Sequence, residues 1–377
     1  MMSAKKSQTK NNQQKVFDRL AVRFKDRIRE TVTDNETEGV DSFLKQAFVN
    51  SPLRHSPEYN DWLFSNNIKN PRYIAWDGND VVGTQYGLKC TVNYADKVYS
   101  GCCAIDLSVD EKWRMRGLGV ALIKKLMDQH DFVIGLGISQ AAQAMFTRLN
   151  WYNLGNIAFY IKPLTAKGFS STQQGHGVKG TIIYPTIAWG VRFFTRLKHL
   201  VRTRKTIKPI SQVENYKKDL EYLYNKEHNL KILNIRKNAE YFEWRYIETP
   251  SQHPYDIHFL YEGENLSSYL VTMISEWQGK QVLAICDYLA PDSDYPDLIK
   301  LSEKLALEKN VDAIMYQGIN LDMEHELKKS LFIKRPHGDL FMLHCKGEAC
   351  NLMQAQDIKN WRITFADSDM DFMFFKP

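Results

Sequence analysis

The chain has 377 residues, beyond the size at which one hydrophobic core usually stops growing, so two domains are expected. With 44% hydrophobic and 25% charged residues it is neither disordered nor collagenous, and it contains no run of about 18 apolar residues that could span a membrane. Net charge is +6, yet residues 161–210 hold ten Lys or Arg and no Asp or Glu, which leaves the remainder slightly acidic. A nucleic-acid partner, which would want a basic folded face, is not expected.

In chain order, the first residues (Lys5, Lys6 and Lys10 among Gln and Asn) have no apolar h-region and read as a tail over 1–20, not a secretory signal. A cytoplasmic location is expected. Cys90, Cys102, Cys103, Cys286, Cys345 and Cys350 include no C-x-x-C pair and no zinc-spaced His, so they read as reduced, mostly buried thiols with no metal. Glu58-Tyr59-Asn60-Asp61-Trp62 reads as a helix. Then come Pro71, a strand at Tyr73-Ile74-Ala75-Trp76, a turn at Asp77-Gly78-Asn79 and a strand from Val81 to about Val92. A strand from Val98 to Val109 and a helix over Gly117–Gln129 come next.

Gly168 to Gly180 reads as a linker, and Pro185 to about Arg204 as a helix with Ile187, Val191, Phe194, Leu197 and Val201 on one face and Arg192, Arg196, His199 and Arg202 on another. The ordinary fate of such a stripe is to pack on the protein; the other reading is a membrane-surface or anion-collecting helix. The second half repeats the first. Glu240-Tyr241-Phe242-Glu243-Trp244 precedes Pro254, a strand at Tyr255–Tyr261, a turn at Glu262-Gly263-Glu264 and a strand at Leu266–Ser275. Gln281–Leu289 and a helix at Leu298–Lys309 come after. Two tandem copies of one α/β unit is the economical reading, a chance recurrence of E-Y-x-[DE]-W the alternative.

The stretch that carries chemistry is Leu107-Ser108-Val109, then Arg114-Met115-Arg116-Gly117-Leu118-Gly119, then Val120 onward. A strand, a glycine-bearing turn and a helix make a diphosphate seat: free N–H groups and the positive helix end bind anions, glycines admit the phosphates, and Arg114 and Arg116 add charge. A dinucleotide fold is disfavoured because Leu122 stands where its third glycine belongs, and a Walker loop because no G-K-[ST] is present after the glycines.

Arg114 to Gly119 resembles the R/Q-x-x-G-x-G/A pyrophosphate motif of the GNAT acyltransferase superfamily. Phe132–Ile138 resembles that family's fifth strand, Ser139–Arg148 its next helix, and Asn150-Trp151 stands where the family commonly has Gly-Phe. The resemblance spans roughly Phe24 to Pro163. It implies an α/β fold of two tandem GNAT-like units with mixed, mostly antiparallel sheets flanked by helices. The expected parts are a domain over 21–164 that binds acyl-coenzyme A, a basic linker over 165–210, and a degenerate domain over 211–377 that helps hold the acceptor. In that second copy Pro291-Asp292-Ser293-Asp294 replaces the glycines and would repel a diphosphate.

By the same resemblance, CoA diphosphate would lie on the N–H groups of Arg114 to Val120, with the pantetheine along Leu107–Val109. The tandem layout and Trp244-Arg245-Tyr246 look like proteins that N-acylate nucleotide-linked amino sugars of surface polysaccharides, in which 3-hydroxybutanoyl transfer to a dTDP-3-amino-3,6-dideoxyhexose is one such reaction. Trp244, Arg245 and Arg335 are the acceptor candidates. The family's acid is a tyrosine where this chain has Phe146, which leaves Tyr152 or water. Its base falls at Cys103, which leaves Asp106, Asp287 or no dedicated base. A tRNA-dependent aminoacyltransferase of the peptidoglycan-bridge type and a non-catalytic acyl-CoA binder are the alternatives. Asp367-Ser368-Asp369-Met370-Asp371 reads as an exposed acidic turn, and Arg335-Pro336-His337-Gly338 as a turn or a phosphate contact.

Overall fold

The computed structural model describes residues 15–49, 51–64, 68–169, 183–198, 205–227, 232–250, 255–336 and 338–374. The tail up to residue 14, the linker over 170–180, the helix beyond residue 198, Pro254 and His337 lie outside the described residues.

Helix α1 (residues 15–23) and the short strand β1 (Ile28–Arg29) precede α2 (Asp34–Ala47) and α3 (Pro57–Phe64). The hairpin β2 (Arg72–Asp77) and β3 (Asp80–Tyr94), then β4 (Lys97–Val109), α4 (Leu118–Gln129), β5 (Phe132–Leu136), α5 (Gln140–Arg148), β6 (Tyr152–Asn156) and β7 (Ala158–Pro163) complete the first half. Helices α6 (Ala166–Phe169) and α7 (Tyr184–Lys198) connect it to β8 (Thr206–Pro209), α8 (Tyr216–Glu227), β9 (Leu233–Ile235) and α9 (Ala239–Phe242), which runs into a π-helical turn at Glu243–Ile247. The hairpin β10 (Asp256–Glu262) and β11 (Asn265–Trp277) leads to β12 (Lys280–Leu289), α10 (Tyr295–Glu308), β13 (Ala313–Gly318), α11 (Leu321–Lys329), β14 (Ile333–Lys334), β15 (Leu340–Cys345) and β16 (Trp361–Arg362).

The repeated E-Y-x-x-W segments form the same local structure. Tyr59 and Trp62 on α3 pack ring to ring at 5.6 Å, Tyr241 and Trp244 at 5.5 Å, and all four are buried, because residues three apart share a helix face. Each segment leads into a tight hairpin whose strands bury long apolar runs.

Two compact units result, and they are not the two halves of the sequence. The first takes its described residues from 1–92, 98–155 and 340–357, the second from 93–97, 156–339 and 358–377. The main path of the first, nine-stranded sheet runs β1-β2-β3-β4-β5-β15-β6, with β9 pairing β3 and β16 pairing β9 off that path, and the second sheet runs β8-β10-β11-β12-β13-β7-β14. The two paths match place by place, with β7 and β15 exchanged: each half lends a strand to the other's path. Strand β7 pairs antiparallel with β13 from Ala158↔Gly318 to Pro163↔Ala313. It is fastened there by a buried Lys162–Glu303 ion pair at 2.6 Å and by Tyr160 donating to Glu324 at 2.9 Å. Strand β15 pairs with β5 from Cys345↔Phe132 to Phe341↔Leu136. Bounds at 21–164 and 211–377 therefore cut across both sheets.

On each main path a parallel pair lies at the centre, β4 with β5 and β12 with β13, each bridged by a helix; β9 and β16 form a further parallel pair in the first sheet. On α4 the buried Leu118, Leu122 and Leu126 repeat at spacing four and seat the helix on the first core, each burial contributing about 2 kcal/mol. All six cysteines are free thiols, five of them buried. Two expectations need correction. Gly168 is not linker but buried in α6, its α-carbon against the Asp312 carbonyl. The expected stripe on α7 also splits: Val191 packs on the second core, while Ile187, Phe194 and Leu197 are exposed.

Candidate active site

The glycine turn lies where the central strands of the first unit diverge. Strands β4 and β5 pair from Gly101↔Phe132 to Cys103↔Ile134, and no further pair joins them among the described residues. Beyond Cys103, Asp106 adopts φ 53° within β4. A left-handed residue in a strand breaks its alternation and bends it. The displaced carbonyls are claimed by side chains of β3: Thr84 donates to Asp106 O at 2.9 Å and Gln85 to Ile105 O at 2.9 Å. The last part of β4, Leu107-Ser108-Val109, is half-buried, and the half-buried apolar side chains of Leu107, Val109, Val120, Ile138, Ala142 and Met145 pack at this end of the core.

From here the chain turns into α4. Arg114 donates its backbone N–H to Asp110 O and its Nε to Val109 O, both within 3.1 Å, and its side chain is exposed together with Met115 and Arg116. Gly117 caps the helix at φ 90°, a conformation that side chains resist, and the first intrahelical bond is Ala121 N–H to Gly117 O at 3.1 Å. The N–H groups of Leu118, Gly119 and Val120 therefore have no intrahelical acceptor and face outward with the positive end of the helix.

The two glycines differ. A Cβ on Gly117 would come within 2.7 Å of Leu20 on α1, so its bareness serves packing as well as backbone shape. A Cβ on Gly119 would meet Met145 and Val109 only at ordinary distances, 3.5 and 3.6 Å, which leaves the approach to its N–H open. The turn thus fits a diphosphate on its backbone donors, its helix end and its two exposed arginines.

The proton-transfer candidates lie elsewhere. Asp106 is buried in an ion pair with Arg54. Tyr152 is 36% exposed, and burial followed by Cys345 and Cys350 pushes its hydroxyl up. Tyr152 opens β6, and among the described residues no hydrogen bond or ring contact joins it to the turn. Phe146 is in the core, its ring stacked on Trp151 at 4.2 Å.

In the second unit the corresponding strands also part company. Strands β12 and β13 pair as far as Ile285↔Tyr316, with a bulge at Cys286. Here, however, the gap is filled. Ile363 bridges Ile319 just past β13, and the turn Phe365–Asp367 packs against the ends of both strands. Asp287 is wholly buried and accepts from Lys237, from Thr364 at 2.9 Å, from Tyr246 at 2.7 Å and from Tyr269 at 3.0 Å. Lys237 also pairs with Asp367 at 2.9 Å; burial alone would push the ammonium down, but the two carboxylates outweigh it and hold it charged. The cavity beside this cluster is about 40 Å³, lined by Lys237, Thr364, Asp367, Tyr288 and Arg362, a volume for water and not for a sugar nucleotide. Both oxygens of Asp287 are engaged, so the proton-abstracting role expected of it does not fit.

Two of the three acceptor candidates are also taken. Arg245 is 0% exposed and holds Asp371 at 2.7 and 2.9 Å, Tyr255 at 2.6 Å and the Ser368 carbonyl at 3.2 Å; Trp244 is buried against Tyr241. Asp367 and Asp371, expected in an exposed acidic turn, are buried as the partners of Lys237 and Arg245. Arg335 is half-buried and near enough to Lys280 to help burial lower that lysine's pKa. At the start of α10 the protein supplies its own anion. Asp294 accepts from Ser267 at 2.6 Å and pairs with Lys205; burial opposes its charge, but these partners hold its carboxyl below the usual range.

No family model matches the sequence, and no curated protein matches it. Solved structures do. A GCN5-related N-acetyltransferase from Anabaena variabilis superposes with a TM-score of 0.57 at 12% identity, over 85% of this chain and 73% of that one. A probable N-acyltransferase from Enterococcus faecalis gives 0.56 at 11%, over 84% and 72%. The N-myristoyltransferase of Saccharomyces cerevisiae with bound myristoyl-CoA gives 0.55 at 13%, over 84% and 82%. At such identities the likeness is one of fold, and the conclusion is that this chain has the tandem α/β fold of GCN5-related N-acyltransferases.

Proposed function

We propose that the chain is an acyl-CoA-dependent N-acyltransferase that binds its thioester on the first unit alone and acylates the amine of a nucleotide-linked aminodeoxy sugar. The observation that carries the reading is the open divergence of β4 from β5, which leads to the bare N-terminus of α4 with Arg114 and Arg116 beside it. The diphosphate would rest on the N–H groups of Leu118 to Val120, and the pantetheine would run along Leu107–Val109. There a strand N–H polarises the thioester carbonyl. The neutral amine attacks that carbonyl carbon, the C–S bond breaks, and the proton shed by nitrogen goes to the departing thiolate through water. With Asp106 and Asp287 both committed to buried cations, no side chain is assigned as base; a sugar amine that titrates near neutrality needs none.

Support for N-acyl transfer comes from the fold shared with N-acyltransferases, one of them solved with myristoyl-CoA. The sugar acceptor and the 3-hydroxybutanoyl donor rest on the sequence resemblance, and the second unit is read as helping to hold the acceptor. The test is thiol release from acetyl-, 3-hydroxybutanoyl- and longer acyl-CoA with a panel of nucleotide-linked amino sugars. CoA should appear with at least one pair. Binding of acyl-CoA with no release across the panel would replace the enzyme with a non-catalytic binder, and no thiol release but aminoacyl transfer from a charged tRNA, read as freed tRNA, would replace it with a transferase of the bridge-forming type.

A further inference from the structure

Helix α7 docks by one narrow face and bares another. Ala188 and Thr195 are 5% and 1% exposed, Val191 packs on the second core, and Thr195 donates its hydroxyl to Val191 O at 2.8 Å. These three suffice to seat the helix. Over the rest of its circumference Trp189 is 70% exposed and Phe194 61%, with Ile183, Ile187, Phe193 and Leu197 between 42% and 46%. At about 100° per residue these six occupy one continuous arc of roughly 160°. The rings within it are assembled: Trp189 stacks on Phe193 at 5.5 Å, and Phe193 meets Phe194 edge-on at 6.3 Å.

The charges that α7 itself carries have one sign. Arg192 and Arg196 border the arc next to Trp189; Arg196 is exposed, and Arg192 is fixed by a 2.7 Å bond to Asn310. Residues 161–210 contain no carboxylate; of their ten cations Lys162, Lys167 and Lys205 are paired with Glu303, Asp312 and Asp294, which leaves the arginines of α7 for the arc. A second copy of the chain seated here would set this cationic segment against itself, and an ordinary acidic peptide would leave the rings uncovered. An anionic bilayer answers both features, because its headgroups accept the cations and its acyl boundary accepts the rings. No helix among the described residues is long and apolar enough to cross a membrane, so α7 would lie along the surface.

We propose that α7 is an interfacial helix that holds the protein on an anionic membrane surface through Trp189, Phe193 and Phe194, with the basic residues around it on lipid phosphates. The inference stands independently of the acyl-transfer reading. Its test is co-sedimentation of the full chain with vesicles of phosphatidylcholine alone or with about 30% phosphatidylglycerol. The expected result is partition onto the anionic vesicles stronger by on the order of tenfold, weakened by salt. Replacing Trp189 and Phe194 together with glutamate should abolish it. That pair is exposed, so the melting temperature should hold, and Arg196→Glu should weaken partition by roughly tenfold. Absent binding, or binding indifferent to lipid charge and salt, would overturn the proposal. So would a concentration-dependent dimer, seen by light scattering without lipid and broken by Phe194→Glu, since the face would then belong to a second copy.

Discussion

The two units share a strand order yet treat the same place in opposite ways. In each, the central parallel strands pair for a few residues and then separate, as a bulged or left-handed residue turns one away. In the first unit the separation leads to backbone donors, exposed arginines and half-buried apolar side chains. In the second, Ile363 to Asp367 fill it, and Lys237 ties Asp287 to Asp367 within it. The helix after each separation also differs: α4 starts on Gly117 beside exposed arginines, α10 on Asp294, whose carboxylate is held by Ser267 and Lys205. On the reading proposed above, one geometry serves as a ligand seat when open and as a structural joint when filled. The joint is polar because a strand divergence leaves backbone and carboxylate groups that must find partners.

The contrast is broken most severely by removing the cation of the joint. Lys237→Met leaves Asp287 and Asp367 buried without it, and should lower stability near neutral pH by about 3–5 kcal/mol. Burial already pushes the carboxyl of Asp367 up. Without Lys237 the folded-state pKa of Asp367 lies further above its unfolded value, so the deficit is full at high pH and shrinks as the pH falls and that carboxylate takes up its proton. Urea titrations near pH 7 and near pH 5 measure it. If turnover per folded molecule collapsed while stability held, the joint would be chemical and not structural.

The seat of the first unit is tested next, through glycines that the structure separates. Gly119→Val puts methyl groups over the open N–H of the turn and should weaken CoA binding tenfold or more, about 1.4 kcal/mol, with little change in melting. Gly117→Ala places a Cβ at φ 90° against Leu20, and should cost about 1–2 kcal/mol of stability whether or not CoA is bound. Unchanged affinity in Gly119→Val, measured by calorimetry, would remove the diphosphate assignment.

Much of this contrast was legible in the residues. The paired Tyr and Trp of each copy, the hairpins, the Arg114–Gly119 turn and the acidic replacement at Asp292–Asp294 all sit on the elements that their patterns imply. Other features were not. The exchange of β7 and β15 is invisible because an apolar strand carries no mark of which sheet it joins, and Lys162 shows its purpose only beside Glu303. The filling of the second gap depends on Thr364 and Asp367, more than 70 residues from Asp287 in sequence. Period-two alternation would set Asp106 on the face of β4 opposite Cys103, but its positive φ interrupts that period. On α7 the 3.6-residue period found a real apolar arc, yet such a pattern says only that a face is apolar, not whether protein or lipid covers it.

The smallest effect is expected at Phe146, and the second copy explains why. Phe146 is the seventh residue of α5, and Trp151 returns its N–H to the Phe146 carbonyl at 3.0 Å. Leu327 is the seventh residue of α11, and Phe332 returns its N–H to the Leu327 carbonyl, also at 3.0 Å. In both units the residue before the returning one is left-handed, Asn150 at φ 62° and Leu331 at φ 64°. The position is therefore built alike in the seat and in the joint, and both side chains are in the core, 2% and 0% exposed. A residue that does the same thing in a filled gap as in an open one is there for packing. Phe146→Tyr should then cost about 1 kcal/mol by overfilling the stack on Trp151, and should move turnover by less than tenfold. A tenfold rise in kcat, with a new ionisation in its pH profile near that of a tyrosine, would instead show that the ring reaches the thioester and that proton supply limits the first unit. Leu327→Tyr, made as the control in the second unit, should change stability alone.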